Sequence, residues 1–345
     1  MKIQAVTSLL ILVGSCATLS HTEKLENIKS NIVFFDTDII NKYANTITAE
    51  ELNAHVYQFS SDEFQGRRAG EAGHMKAADF IKDYYFKENI PSPLGPENYY
   101  QFVDGDFFPE PQNSSPNVLA FIEGTTFPDE ILIITGHSDH EGFTDDIIYN
   151  GADDNGSGTA AMLEMAQAFN MAKLEGHGPK RSILFLHLTG EEIDLTGSKY
   201  YTQHPIFPLE NTVANLNIDM IGRIDEAHQD NPNYIYLIGS DRLSTELHFI
   251  SEKANETFTK LNLDYRLNSD SDPNQYYTRS DHYSFAQKGV PVIFYFNGTH
   301  EDYHEPTDTA EKINYPLLSQ RTKLIFTTAW YLANNDERLQ VDLDS

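Results

Sequence analysis

Cysteine is almost absent from this 345-residue chain, and Cys16 is the only one. A lone thiol excludes an intramolecular disulfide and any zinc site built on cysteine. Positive charge is the next shortage. Twenty-four Lys and Arg residues face 52 Asp and Glu, a formal net charge of −28. Such a surface repels nucleic acid and anionic headgroups, so neither is an expected partner. Long apolar runs are missing as well. Beyond residue 16 no stretch is long and apolar enough to cross a bilayer as a helix. No internal repeat is visible, and no second domain of convincing size.

The one marked apolar run lies at the start, in MKIQAVTSLLILVGSC. Lys2 supplies a short positive region and Ala5 to Val13 an apolar core too short for a mature span. The run Leu12-Val13-Gly14-Ser15-Cys16 resembles a bacterial lipoprotein signal, cut before a cysteine that then carries lipid. The expectation is a leader over 1–15, a linker over 16–45 and a single domain over 46–345. The product would be exported and lipid-anchored in the bacterial cell envelope, or otherwise secreted. Membrane contact is expected only through Cys16.

The rest of the chain alternates. A helix is expected to begin near Thr48, and a second over 75–88 after the loop SSDEFQGRRAGEAGH. Residues 89–116 read as an irregular connection rich in Pro, Asn and aromatics. Apolar runs of strand length lie at 117–123, 131–135, 182–188, 214–218, 234–238 and 290–296. Helical patterns lie at 157–173, 198–203, 243–258 and 316–332. Near-continuous apolar strands alternating with helices predict an α/β sandwich of three layers, a mixed, mostly parallel sheet covered on both faces. Trp330, the single tryptophan, falls in the last helix and reads as core.

Polar clusters follow these strands. His137 and Asp139 stand in GHSDH, Asp154 in GADDNGSG, Glu191 and Glu192 in TGEE, Asp219 after the run at 214–218, and His304 after the run at 290–296. In open α/β sheets, sites form beyond the carboxyl ends of strands, so these clusters would converge. Two adjacent acids at Asp153 and Asp154 repel unless a cation sits between them. Histidine and carboxylate ligands without cysteine suit a catalytic zinc site. One carboxylate can bridge two ions, and Asp154 is the natural candidate. Of Glu191 and Glu192, one would ligate and the other act as general base. Asp139 would orient the His137 imidazole.

GHSDH, GADDNGSG, TGEEIDLTGS, NLNIDMIGR, RSDHYSF and DYHEPTDT, in this order, resemble the zinc aminopeptidases of peptidase family M28, typified by bacterial aminopeptidase S and leucyl aminopeptidases. The resemblance runs from about Ser60 to Asn334. It implies a zinc-exopeptidase fold, a metallopeptidase catalytic domain over 46–345, two zinc ions as cofactors and peptides as substrates. It implies that His137 and Asp219 bind one zinc and Glu192 and His304 the other, with Asp154 bridging. Glu191 would be the general base, Tyr303 would help stabilise the oxyanion, and the Asp154–Asn155 peptide would be cis. Ser138 departs from the aromatic residue usual in the first motif, and Asp194 from the usual glycine after the Glu pair. Neither touches an implied ligand, so they bear on substrate contacts.

Taken singly, each cluster has an ordinary reading as a helix start, a solvated turn or a buried histidine, and only their joint order carries the chemistry. His140, His187, His248 and His300 fit no pattern and read as structural or surface residues. His282 is placed near the pocket, and Arg67 and Arg68 read as holding their loop to the sheet. The leading expectation is an exopeptidase that removes amino-terminal residues. The alternatives are a related amidohydrolase or carboxypeptidase, a glutaminyl-cyclase-like acyltransferase with one zinc, and a non-catalytic binding module of the same fold.

Overall fold

The computed structural model describes residues 20–342. The expected leader and Cys16 lie outside the described residues. The expected linker at 16–45 carries two helices, α1 (His21–Asn31) and α2 (Thr37–Ala44). A capping box starts α1. The Ser20 hydroxyl accepts from the Glu23 amide, and Glu23 accepts from the Ser20 amide. Ile40, Tyr43 and Ala44 of α2 are buried in the main core, so packing begins before residue 46.

Helix α3 (Ala49–Phe59) starts at the N-cap Thr48, as its sequence implies. Helix α4 (Ala72–Lys87) follows. The connection at 89–116 contains an unexpected edge strand, β1 (Tyr100–Val103), antiparallel to β2 (Ser115–Ile122). Strand β3 (Phe127–His137) leads into a small hairpin, β4 (Gly142–Thr144) and β5 (Ile147–Tyr149). Asp145 and Asp146 turn it, both with positive φ, as a tight hairpin requires. The chain then continues through α5 (Gly158–Leu174), β6 (Arg181–Leu188), α6 (Thr196–Gln203), β7 (Thr212–Ile218) and β8 (Tyr234–Ile238). It closes with α7 (Thr245–Ala254), β9 (Asn262–Asp264), α8 (His282–Ala286), β10 (Val292–Phe296) and α9 (Tyr315–Asn334).

The sheet has the order β1-β2-β6-β3-β7-β10-β8-β9. Its centre, β6-β3-β7-β10, is parallel, while β1, β2 and β8 join antiparallel. Period-two alternation divides β3 and β6 between two cores. Leu132, Ile134, Ile183 and Phe185 face the larger, built with α2, α3, α4, α5, α7 and α9. Ile131, Ile133, Leu184 and Leu186 face the smaller, closed by Tyr201 of α6 and Phe285 of α8. Both faces are therefore covered, as expected. Burying each such side chain contributes roughly 1.5–3 kcal/mol, so the central strands form a fixed platform. Their parallel direction puts four carboxyl ends at one edge.

Candidate metal centre

His137 is the last residue of β3, paired in register with Leu188 at the end of β6. Glu191 and Glu192 follow β6, Asp219 follows β7, and His304 lies in the loop after β10. The turn at 151–158 projects between them. Gly151 opens it with φ of 52°, and a Cβ there would lie 2.1 Å from the Asp154 carbonyl oxygen. The Asp154–Asn155 peptide is cis, as the resemblance implied. Asn155 ties the turn to β7 by donating to the Ile218 carbonyl at 2.8 Å and accepting from the Met220 amide at 3.2 Å. Beneath it lies the fully buried Arg67 guanidinium, which donates to the carbonyls of Phe59, Ser138, Asn150 and Gly151. Arg67 thus has the structural role expected of it.

The neighbouring acids of the turn do different work. Asp153 accepts from the Gly222 amide at 2.7 Å and faces His300 Nε2 at 3.1 Å. Its charge is spent inside the fold. Asp154 points one oxygen each way: Oδ1 lies 3.1 Å from His137 Nε2, and Oδ2 lies 3.1 Å from His304 Nε2. On the first side, Asp219 Oδ1 is 3.2 Å from His137 Nε2. On the second, Glu192 Oε2 is 3.2 Å from His304 Nε2. All five expected ligands therefore converge. Donors bound at 2.0–2.1 Å to one tetrahedral ion stand about 3.3–3.4 Å apart, and the His–carboxylate spacings suit donors to a metal ion.

The electrostatics argue the same way. His137 is pulled well above the usual imidazole range: burial opposes its charge, but Asp219, Glu191 and Asp154 overcome that. His304 is raised to about 10 despite its own burial, by Asp154 and Glu192. Burial also works against the Asp154 charge, yet His137 and His304 hold it well below the carboxylate range. Glu191 goes the other way, raised by burial and by the nearby acids Asp219 and Glu192. The cluster carries more carboxylate than its imidazoles neutralise, which is the condition a bound cation relieves.

Two supporting residues flank these ligands. Asp139 was expected to orient His137 through its carboxylate. The nearest partner of His137 Nδ1 is instead the Asp139 main-chain oxygen at 3.2 Å, with carboxylate Oδ1 at 3.9 Å. The strand end turns there, so the carbonyl reaches the ring first. The carboxylate accepts from the Glu191 amide at 3.2 Å and so steadies the Glu pair. Tyr303 stacks on His304 with ring centroids 3.8 Å apart, and its hydroxyl accepts from Arg279 at 3.4 Å.

Other members had no signal of their own. Ser280 donates to Asp219 Oδ2 at 2.7 Å, and Asp308 accepts from the amides of Asp153 and Asp154. Both lie in motifs named above, RSDHYSF and DYHEPTDT, yet hydroxyls and single acids are too common to mark a role. His300, read as structural or surface, is half-buried, with its ring covered against Asp153. His140, read the same way, enters the centre beside Glu192. A cavity of about 250 Å³ opens over Asp154, Glu191 and Asp219, walled by Met220, Tyr276, Phe294 and Phe296. A cavity of about 420 Å³ lies by the opposite strand ends, near Thr126 and Lys180, away from these residues.

A family model described as Peptidase family M28 matches residues 117–329. A protein of Arthroderma otae named "Probable leucine aminopeptidase" is 27% identical over 336 residues, covering 91% of this chain and 89% of its own. A "Probable zinc metalloprotease" of Pyricularia oryzae is 30% identical over 261 residues. That match covers 63% of this chain and 50% of the relative, so the chain spans about half of that protein's length. Among solved structures, BSAP, a zinc aminopeptidase from Bacillus subtilis, aligns with a TM-score of 0.64 at 18% identity, covering 87% of this chain and 98% of its own. At that identity the likeness speaks for the fold.

Proposed function

The chain belongs to peptidase family M28 and is a peptide hydrolase, and we propose that it is an aminopeptidase working through a pair of zinc ions. The carrying observation is the Asp154 carboxylate, with one oxygen at His137 and the other at His304. His137 and Asp219 would hold one ion, Glu192 and His304 the other, and Asp154 both. Such a pair supplies Lewis-acid polarisation of a carbonyl and a water acidified to a pKa of about 7.

The chain's own groups divide the remaining work. Glu191 takes a proton from the attacking water and delivers it to the leaving amine as the peptide C–N bond breaks. A carboxyl group can accept and return one proton, which both halves of that transfer require. The Tyr303 hydroxyl, which accepts from Arg279, would donate toward the oxyanion. Asp139 acts at one remove, holding the Glu191 backbone. A free substrate amine meets the surplus carboxylate, and Phe294, Phe296 and Met220 favour an apolar first side chain. The pattern at Leu12–Cys16 supports export and attachment through lipid on Cys16.

The test is a substrate panel on metal-stripped and zinc-reconstituted protein. Peptides with a free amino terminus should be cleaved only after zinc is restored, at two ions per chain, while acyl-blocked peptides remain intact. Cleavage of blocked peptides alone would overturn the reading. So would cyclisation of amino-terminal glutamine with release of ammonia, the mark of the acyltransferase alternative.

A further inference from the structure

His140 sits inside the centre without belonging to the ligand set described above. Its side chain is buried, and Nδ1 lies 3.0 Å from Glu192 Oε1 and 3.7 Å from Asp154 Oδ2. The other oxygen of Glu192, Oε2, faces His304. Glu192 is therefore addressed by two imidazoles, one at each oxygen. The ring is held from the far side by the turn that carries Asp154. A Cβ on Gly151 would come within 2.5 Å of His140 Cδ2 and 2.6 Å of Cγ. The main chain is fixed as well, since the His140 amide donates to the Arg67 carbonyl.

Which ring nitrogen carries the proton follows from what surrounds each. His140 Nε2 is buried and meets no hydrogen-bond partner among the described residues. A proton on Nε2 would leave an N–H desolvated and unpaired, whereas a proton on Nδ1 points at a carboxylate oxygen. The bare nitrogen is then Nε2. Binding of an ion by Nδ1 would reverse this and strand the Nε2 proton.

We propose that His140 is a positioning residue: its Nδ1–H donates to Glu192 Oε1 and so presents Oε2 to the ion shared with His304. The inference rests on the two-zinc reading of the centre. It adds a reason why Glu192 ligates while its neighbour Glu191 stays available for proton transfer. Glu191 has its amide tied to Asp139, and among the described residues no imidazole nitrogen hydrogen-bonds its carboxylate, His137 coming only within 4.8 Å. A hydrogen bond to the second oxygen of a ligating carboxylate fixes its orientation, and loss of such a partner typically costs 10–100-fold in metal affinity.

The experiment compares wild type with His140→Asn, His140→Gln and His140→Ala. Asparagine can place an N–H where imidazole Nδ1 stands, while the longer glutamine places it nearer Nε2. Metal-free proteins are titrated with Zn2+ against a competing chelator, and the visible spectra of the Co2+-loaded forms are recorded. Thermal melting of the metal-free forms checks folding. The expected result is a 10–100-fold weaker second ion in His140→Ala and His140→Gln. His140→Asn should recover most of that loss and keep the wild-type cobalt spectrum. Unchanged zinc affinity in the alanine and glutamine variants would overturn the proposal. A cobalt spectrum of His140→Asn that has lost a nitrogen ligand would also overturn it, by making His140 a ligand. Should His140→Ala not fold, the asparagine–glutamine pair carries the same decision. Failure of wild type to bind two ions would strike the two-zinc reading itself, which sets that outcome apart.

Discussion

His137 and His187 stand on neighbouring strands of one sheet, a single register step apart. His187 on β6 pairs with Gly136, and His137 on β3 pairs with Leu188. Both rings are buried, yet their chemistry runs in opposite directions. Among the described residues His187 has one polar partner, the Tyr85 hydroxyl at 2.7 Å, and burial pushes its pKa down to about 3. His137 lies one residue further toward the carboxyl edge, where Asp154 and Asp219 drive it well above the usual range. Depth alone therefore does not make a functional histidine. What matters is whether the strand has reached the end of the sheet, where loops from other strands can bring carboxylates against the ring.

The same substitution on the two strands should break or sharpen this contrast. His137→Gln is expected to have the largest effect, removing one ion and essentially all turnover while the far-ultraviolet circular dichroism stays native. Metal analysis and a peptide-hydrolysis assay check it, and retention of two ions with full activity would erase the distinction. Glu191→Gln comes next. Loss of a general base lowers kcat by about 10²–10⁴-fold, here with two ions still bound. A variant that instead lost metal would move Glu191 into the ligand set.

His187→Gln should be the mildest, leaving activity near wild type and changing only the response to acid. A histidine whose folded pKa lies below its unfolded value of about 6.5 binds more protons when unfolded. Stability is therefore lost as pH falls from about 6.5 toward 3, at up to about 1.4 kcal/mol per pH unit for this one group. His187→Gln should flatten that slope in urea midpoints measured between pH 7 and pH 4. An unchanged slope would remove His187 as a contributor.

What could be read in the sequence follows from local physics. Strands β2, β3, β6, β7, β8 and β10 announce themselves because strands buried on both faces must be apolar along their length. The ligand types are equally legible, because a centre without cysteine has to draw on histidine and carboxylate. Strand β1 and β9 were not visible, being only four and three residues long. Such edges exist by virtue of the neighbour that accepts their hydrogen bonds. Helix α1 had a legible start, the Ser20–Glu23 capping box, but its polar composition offers no apolar face to read. Helix α5 shows the reverse case. Its helical pattern at 157–173 is legible, but not that it is buried on nearly every side between the sheet and α2, α3 and α9.

The sequence by itself determined the layered sheet, the order of the motifs and the kinds of ligand at the strand ends. Those follow from periodicity and side-chain chemistry, which act over a few residues. Only the tertiary structure decided that Asp153 spends its charge on Gly222 and His300 while Asp154 faces both His137 and His304. It also decided that Asp139 steadies Glu191 and that His140 stands behind Glu192. Each of these is a choice of one atom over another at about 3 Å, between residues brought together by parallel strands and the turns that follow them. Local sequence sets which groups are present, and the register of the assembled sheet sets which oxygen meets which ring.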